Sequence, residues 1–180
     1  IKIAGPGFLN FFLKPEIYPT ILEQLTTEQQ HFFVDKPEKK TNYSIEFVSA
    51  NPTGPLHLGH GRGGIIGDVL GNVLKFIGHD VTKEFYINDA GNQMDKLGIS
   101  LKIRCQQAMG QDIELPENSY QGEYLKNLAQ ECISKYGDGL LEKPDEFFKE
   151  YAKKQMLEMI KKTLSDYGIE YDVWFSEKAL

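Results

Sequence analysis

The sequence predicts an α/β fold: the first half of a doubly wound parallel domain, carrying a mainly helical insertion. Three observations lead there. A β-branched and aromatic run, Ile45-Glu-Phe-Val-Ser49, enters a loop, Ala50-Asn-Pro-Thr-Gly-Pro55, too rich in proline and glycine for regular structure. After it, Ile65, Ile66, Val69, Leu70, Val73, Leu74 and Ile77 recur at helical spacing and predict an apolar face that packs inward. Gly78 is placed to stop that helix, and residues 81–87 read as a second strand. Strand, loop, helix and strand make a βαβ unit, which implies parallel pairing and a right-handed crossover.

The remaining elements follow in chain order. Ala4-Gly-Pro-Gly7 breaks the chain, and the apolar run over 8–13 suits a short strand. Pro15 and Pro19 precede a modest helical stretch ending near Gln30, and Asp35-Lys-Pro-Glu-Lys-Lys40 reads as a linker. Beyond Asp89, Met94, Leu97, Leu101, Cys105 and Ala108 share a helix face, and a loop spans 110–119. A second helix carries Tyr124, Leu125, Leu128, Cys132 and Ile133 up to Gly137. Pro144 opens a long helix with Phe148, Tyr151, Ala152, Met159 and Thr163 aligned, closed by Gly168. Ile169, Tyr171, Val173 and Phe175 then alternate as in a strand.

Composition sets the outer bounds. The 180 residues are 41% hydrophobic, enough for a packed core, and no apolar run approaches the roughly 20 residues of a membrane span. The chain opens on Ile1 without a basic-then-apolar leader and reads as a piece of something longer. Cys105 and Cys132 lack metal-ligand spacing and read as buried free thiols of a reducing compartment. A formal net charge of −6 argues against a dedicated nucleic-acid module. The basic clusters at Lys36, Lys39 and Lys40 and from Lys149 through Lys162 read as solvated faces.

The loop after the first strand carries the chemistry. In parallel α/β sheets ligands bind beyond the carboxyl ends of the strands, where a helix starting at 58–61 would aim unpaired N–H groups and its positive dipole end. Phosphate suits that place. Gly59, Gly61, Gly63 and Gly64 allow close approach to the backbone, and His57 and His60 flank it as hydrogen-bond donors for charge developing on phosphate oxygens. Neither a P-loop lysine pattern nor GxGxxG occurs. Taken alone, the two histidines could equally cap the helix, and the glycines could serve only tight helix packing. Asp89, Gly91 and Gln93, at the end of the second strand, could serve a ligand or a helix N-cap and turn. Glu46 offers the planar carboxylate that matches a guanidinium fork; a solvent-facing strand residue is the plainer alternative. Asn51 could serve a turn instead.

His57-Leu58-Gly59-His60 resembles the HIGH motif of class I aminoacyl-tRNA synthetases. The longer string Glu46-Phe-Val-Ser-Ala-Asn-Pro-Thr-Gly-Pro-Leu-His-Leu-Gly-His60 is similar to that of the arginyl-tRNA synthetases, as is Tyr86-Ile-Asn-Asp-Ala-Gly-Asn-Gln93. The opening Ala4-Gly-Pro-Gly-Phe-Leu-Asn-Phe11 resembles the exit from that family's extra N-terminal domain, and Tyr171-Asp-Val-Trp-Phe-Ser176 its connective insertion. The resemblance covers essentially the whole chain. It implies a Rossmann-like, HUP-type nucleotide-binding domain, with residues 1–40 as the end of an extra domain and linker, 41–100 as the first half of the catalytic domain, and 101–180 as the insertion.

It also implies the chemistry. Arginine's carboxylate attacks the α-phosphate of ATP, and tRNA(Arg) then takes the arginyl group. His57 and His60 are the implied catalytic residues, with Gly59 and Gly61 joining them at ATP; Glu46, Ser49 and Asn51 are the implied arginine contacts, and Asp89 and Gln93 join them as candidates from their place at the end of the second strand. ATP is expected as a substrate with Mg2+, with no prosthetic group and no metal-ligating residues; the protein is expected to be monomeric, cytoplasmic and free of membrane. A KMSKS-like loop, the family's second motif, has only poor matches at Glu142-Lys-Pro and Ser176-Glu-Lys178. Members lacking its lysine resemble one another in carrying one upstream of HxGH, and the matching position here is Gly54, which cannot supply charge. A KMSK-type lysine is therefore expected further along the parent chain, and little activity from this piece alone. Two rivals stand beside this reading: an HxGH nucleotidyltransferase for another amino acid, and a silent domain that keeps the fold for binding.

Overall fold

The computed structural model describes every residue except Gln30, His31, Phe33, Asp35 and Lys36. The expected helix end at Gln30, the start of the linker run at Asp35, and Lys36 of the first basic cluster lie outside the described residues.

At the start, β1 (Lys2–Ala4) and β2 (Phe8–Asn10) form an antiparallel hairpin turned by Gly5 and Gly7, both at positive φ. The strand expected over 8–13 thus stops at Asn10. The helix α1 (Ile17–Glu28) buries none of its residues.

The sheet that positions the site contains β3 (Asn42–Glu46), β4 (Asp80–Ile87) and β5 (Val173–Ser176), parallel and in that spatial order. The two expected strands pair in parallel, with Glu46 opposite Glu84. The first strand lies earlier than its apolar pattern predicted and ends at Glu46 instead of Ser49. Val48 (φ 66°) and Ser49 (φ 40°) occupy the left-handed region, and the Ser49 N–H donates to the Phe47 carbonyl at 3.0 Å, closing a three-residue turn. A ladder cannot continue through that geometry. At the other end, only residues 173–176 form the last strand. Ile169, which follows Gly168 at φ 74°, is a buried core residue. This strand lies in the stretch read as insertion, yet it pairs with β4, and the division at 100/101 falls within a continuous helix. The chain leaves the sheet after β4 and rejoins it at β5.

The helix α2 (Leu58–Phe76) connects β3 to β4, and its orientation reverses the expectation. Its buried residues are Gly64, Gly67, Asp68 and Gly71, while Ile65, Ile66, Val69, Leu70, Val73 and Ile77 are exposed. Glycines let the helix backbone settle onto the sheet: a β-carbon at Gly67 would overlap the Phe47 ring, lying 2.6 Å from its Cβ. Gly71 makes room for the Lys83 stem, whose ammonium meets Asp68 at 2.6 Å and Asn72 at 2.7 Å. With both partners in place the buried charge is satisfied; removing Asp68 would leave the Lys83 ammonium as an unpaired ion in the interior.

The helical unit consists of α3 (Asn92–Ala108), α4 (Glu123–Tyr136) and α5 (Asp145–Asp166). Met94, Leu97, Leu101 and Cys105 of α3 are buried as expected, whereas Ala108 at its end is exposed. In α5 the buried stripe is Phe148, Ala152, Met156, Ile160 and Leu164, at strict four-residue spacing; Met159 and Thr163 lie outside it. The α3–α5 crossing is close because Gly98 has no side chain: a β-carbon there would lie 2.8 Å from the Lys149 backbone. Among the described residues two clusters make up the interior. One, with Leu97, Leu125 and Phe148, belongs to the helices; the other, with Phe47, Phe85, Ile160 and Leu164, lies under the sheet. Cys105 and Cys132 are free and buried, and burial pushes the Cys105 thiol up to about 12. The basic run of α5 is neutralised locally: Lys149 pairs with Asp95 and Glu146, and Lys162 with Asp166. No helix among the described residues is long and apolar enough to cross a membrane.

Candidate functional site

The residues between β3 and α2 wrap the carboxyl edge of the sheet. His57 is the N-cap of α2, and its Nδ1 accepts the Gly59 N–H at 3.1 Å. In return the His57 N–H donates to Nδ1 of His60 at 3.2 Å, and the two rings stack with centroids 3.7 Å apart. Both histidines therefore cap the helix, but this does not exhaust them. A neutral ring whose Nδ1 accepts must carry its proton on Nε2, so each imidazole keeps one donor to offer. Burial first, and neighbouring His57 second, lower the His60 pKa and favour that neutral form. The expected bare N–H groups are thus partly used internally, and the ring Nε2–H groups become the donors at the positive end of α2.

Gly59 has a steric reason to be glycine, since a β-carbon would lie 2.9 Å from His57 Cε1 and displace the ring. Gly61 and Gly63 have open space where a side chain would go. His57 and Gly61 also line a cavity of about 350 Å³, with Leu56, Thr163, Tyr167 and Ile169 on its other walls.

The other candidates divide into two groups. The Asn51 amide donates to Gln93 Oε1 at 2.8 Å, joining the loop after β3 to the first turn of α3. Glu46 is exposed at the last position of β3, level with Glu84 and on the side of the sheet that carries Tyr86. Burial, then Glu177 by its charge and hydrogen bond, then Glu46 and Asp89, push the Tyr86 phenol up. Ser49 and Asp89, by contrast, are occupied within the fold. Ser49 Oγ accepts the Tyr86 N–H at 3.1 Å and fastens the loop to β4. Asp89 is 3% exposed and accepts from Ser176 Oγ at 2.8 Å, the Lys178 N–H at 3.3 Å and Lys153 Nζ at 3.4 Å. Burial alone would raise its carboxyl, but these hydrogen bonds and the Lys153 charge hold it below the usual carboxylate range.

Sequence reasoning passed over two tyrosines, Tyr124 and Tyr171, whose hydroxyls donate to the Thr53 and Phe47 carbonyls at 2.6 Å and 3.0 Å. Both come from more than 70 residues downstream, and no local pattern announces them. Among the described residues, no group of three or more His, Cys, Asp or Glu side chains could hold a metal ion.

The family model described as "tRNA synthetases class I (R), catalytic domain" matches residues 20–179. The chain is 46% identical over 181 residues to the arginine–tRNA ligase of Wolbachia sp. subsp. Brugia malayi and 42% identical over 184 residues to that of Rickettsia bellii. Each match takes in all of this chain but 32% of the relative, so the chain spans about a third of their length. A crystal structure from Campylobacter jejuni, assigned as an arginyl-tRNA synthetase, superposes with a TM-score of 0.80 at 33% identity, over 93% of this chain and 37% of that one. The Thermus thermophilus arginyl-tRNA synthetase, at 22% identity and a TM-score of 0.53 over 97% of this chain and 29% of that one, shares the fold. With a histidine pair capping the helix that leaves a parallel sheet, and a family match across 160 of its 180 residues, the chain belongs to the class I tRNA synthetase (R) catalytic domains.

Proposed function

We propose that the protein carrying this chain activates L-arginine with ATP and transfers the arginyl group to tRNA(Arg). The observation that supports this most is the His57–His60 pair, with two Nε2–H donors at the start of α2 beside the carboxyl ends of β3 and β4. In this reading a carboxylate oxygen of arginine attacks the α-phosphorus, the bond to the bridging oxygen of the β-phosphate breaks, and pyrophosphate leaves. His57 and His60 hold the phosphate oxygens as charge shifts toward the leaving group, a role that matters most in the transition state. Gly59 and Gly61 let the nucleotide approach the helix start. A hydroxyl of the terminal ribose of tRNA then attacks the adenylate's carbonyl carbon and releases AMP.

On the arginine side, Glu46 offers its carboxylate to a cationic group, with Asn51 and Gln93 as the polar pair beside it. Ser49 and Asp89 support this arrangement: one fastens the loop to β4, the other ties β5 and α5 to the end of β4. Mg2+ belongs with the ATP phosphates. It favours oxygen ligands, which the two imidazoles do not supply. The same reading carries a monomeric, cytoplasmic protein, with residues 1–40 ending an extra domain and the helical unit as the connective insertion.

The test is arginine-dependent exchange of labelled pyrophosphate into ATP by the full-length protein, with lysine run in parallel. Arginine should drive exchange and lysine should not. Glu46→Gln keeps the shape and removes the charge, so the KM for arginine should rise about tenfold while that for ATP changes little. Equal stimulation by lysine, or exchange driven only by another amino acid, would contradict the proposal.

A further inference from the structure

The turn that leads from Asn51 toward His57 is held from outside the sheet. Tyr124, in the first turn of α4, donates its hydroxyl to the Thr53 carbonyl at 2.6 Å across 71 residues of sequence. Its ring covers Gly54, where a β-carbon would lie 3.2 Å from the phenolic oxygen and 3.3 Å from Cζ. A side chain at Gly122 would overlap the same ring, so a glycine on each side gives Tyr124 its place. Burial raises the phenol's pKa, which keeps it a protonated donor. Within the same turn Pro52 is fully buried, and the Thr53 N–H donates to the Asn51 carbonyl at 2.8 Å. Just upstream, Val48 and Ser49 hold left-handed conformations that persist only where the surroundings over-determine them. Tyr171 fixes the near end of that segment from the sheet layer, whereas Tyr124 fixes the far end from the helical unit.

We propose that Tyr124 is a positioning residue for arginine activation: by holding the 51–54 turn, it lets the docking of the helical unit set where Asn51 and His57 stand. Gly54 is the complementary half of the contact, because a side chain there would push against the ring. The kinetic part of this proposal rests on the arginine-activation reading; the tether itself does not.

The test is Tyr124→Phe in the full-length protein, which keeps the ring and removes the donor. Leaving the Thr53 carbonyl without its partner should lower kcat for arginine-dependent exchange about tenfold, with the KM for ATP changed less than about twofold and the titrated fraction of active sites unchanged. In hydrogen–deuterium exchange the amides of residues 51–57 should exchange about tenfold faster, while those of α4 stay at the parental rate. Gly54→Ala approaches the same turn from the other side and should give the same two changes. A purely structural role would lower the melting temperature and leave both kcat and loop exchange at parental values, which would overturn the proposal. Faster loop exchange with parental kcat would overturn it as well. A parent without arginine-dependent exchange would remove the activity reading and the kinetic part with it, and the loop amides would still decide the tether.

Discussion

The helical unit and the site layer treat apolar side chains in opposite ways. In α3, α4 and α5 the apolar residues close on one another, and Leu97, Leu101, Leu125, Phe148 and Met156 are fully buried. In α2 the apolar residues face out, Ile66 at 63% exposure, while glycines and an ion pair face in. Order therefore comes from a different source in each region. The helical unit holds itself together by burial. The site layer relies on close backbone approach at Gly67 and on hydrogen bonds reaching the loop from Tyr86, Gln93, Tyr124 and Tyr171.

Mutation should separate the two regions sharply. Phe148→Ala empties a site at the centre of the helical unit and should cost about 3–5 kcal/mol, read from urea unfolding of this chain. Ile66→Ser on the exposed face of α2 should stay within about 0.5 kcal/mol in the same experiment. Comparable losses from both would erase the contrast.

Gly67→Ala probes the site layer by the opposite kind of change. Helix propensity alone would make it favourable by about 1 kcal/mol. The new methyl would instead overlap Phe47, which already stacks on Tyr171 with centroids 4.5 Å apart. Overpacking of this kind costs roughly 1–3 kcal/mol, so the clash should win and the chain should unfold at lower urea. A stabilised variant would show that α2 stands further from the sheet than described.

The smallest effect concerns protonation. The folded pKa of His60 lies below the ordinary 6.5, so its contribution to stability is present above the unfolded value and lost as pH falls through the folded one. Protonating Nδ1 would expel the His57 N–H and open the cap. An NMR titration should give a His60 midpoint below 6.5, with the amides at the start of α2 losing protection over the same range. A midpoint above 6.5 would mean that the histidines do not cap each other as described.

Much of this was legible in the sequence, and the misses share one cause. Parallel pairing, the helix starting after His57, the stop at Gly78 and the buried cysteines all follow from local pattern. Periodicity finds an apolar face but cannot say which face the protein covers. For α2 the better signal was Gly64, Gly67 and Gly71 at small-residue spacing around Asp68. The apolar pattern sets the first strand three residues late because Phe47 and Val48 look extended, whereas the Tyr171 and Tyr86 contacts that turn the chain there lie far away in sequence. Nor does the sequence reveal that Lys153, Ser176 and Lys178 converge on Asp89 at the end of the second strand.

On this reading the chemistry of the site is separable from the forces that hold the chain together. His57→Ala and His60→Ala in the full-length protein test it most directly, with pyrophosphate exchange and thermal unfolding measured on the same samples. Each variant should lose on the order of 10²–10³ in kcat for arginine activation, as expected when one donor to developing charge is removed. Its melting temperature should shift by no more than the few degrees that loss of one helix cap entails. Exchange at the parental rate in both variants, or inactivity fully accounted for by unfolding, would show that the two histidines do not serve the chemistry.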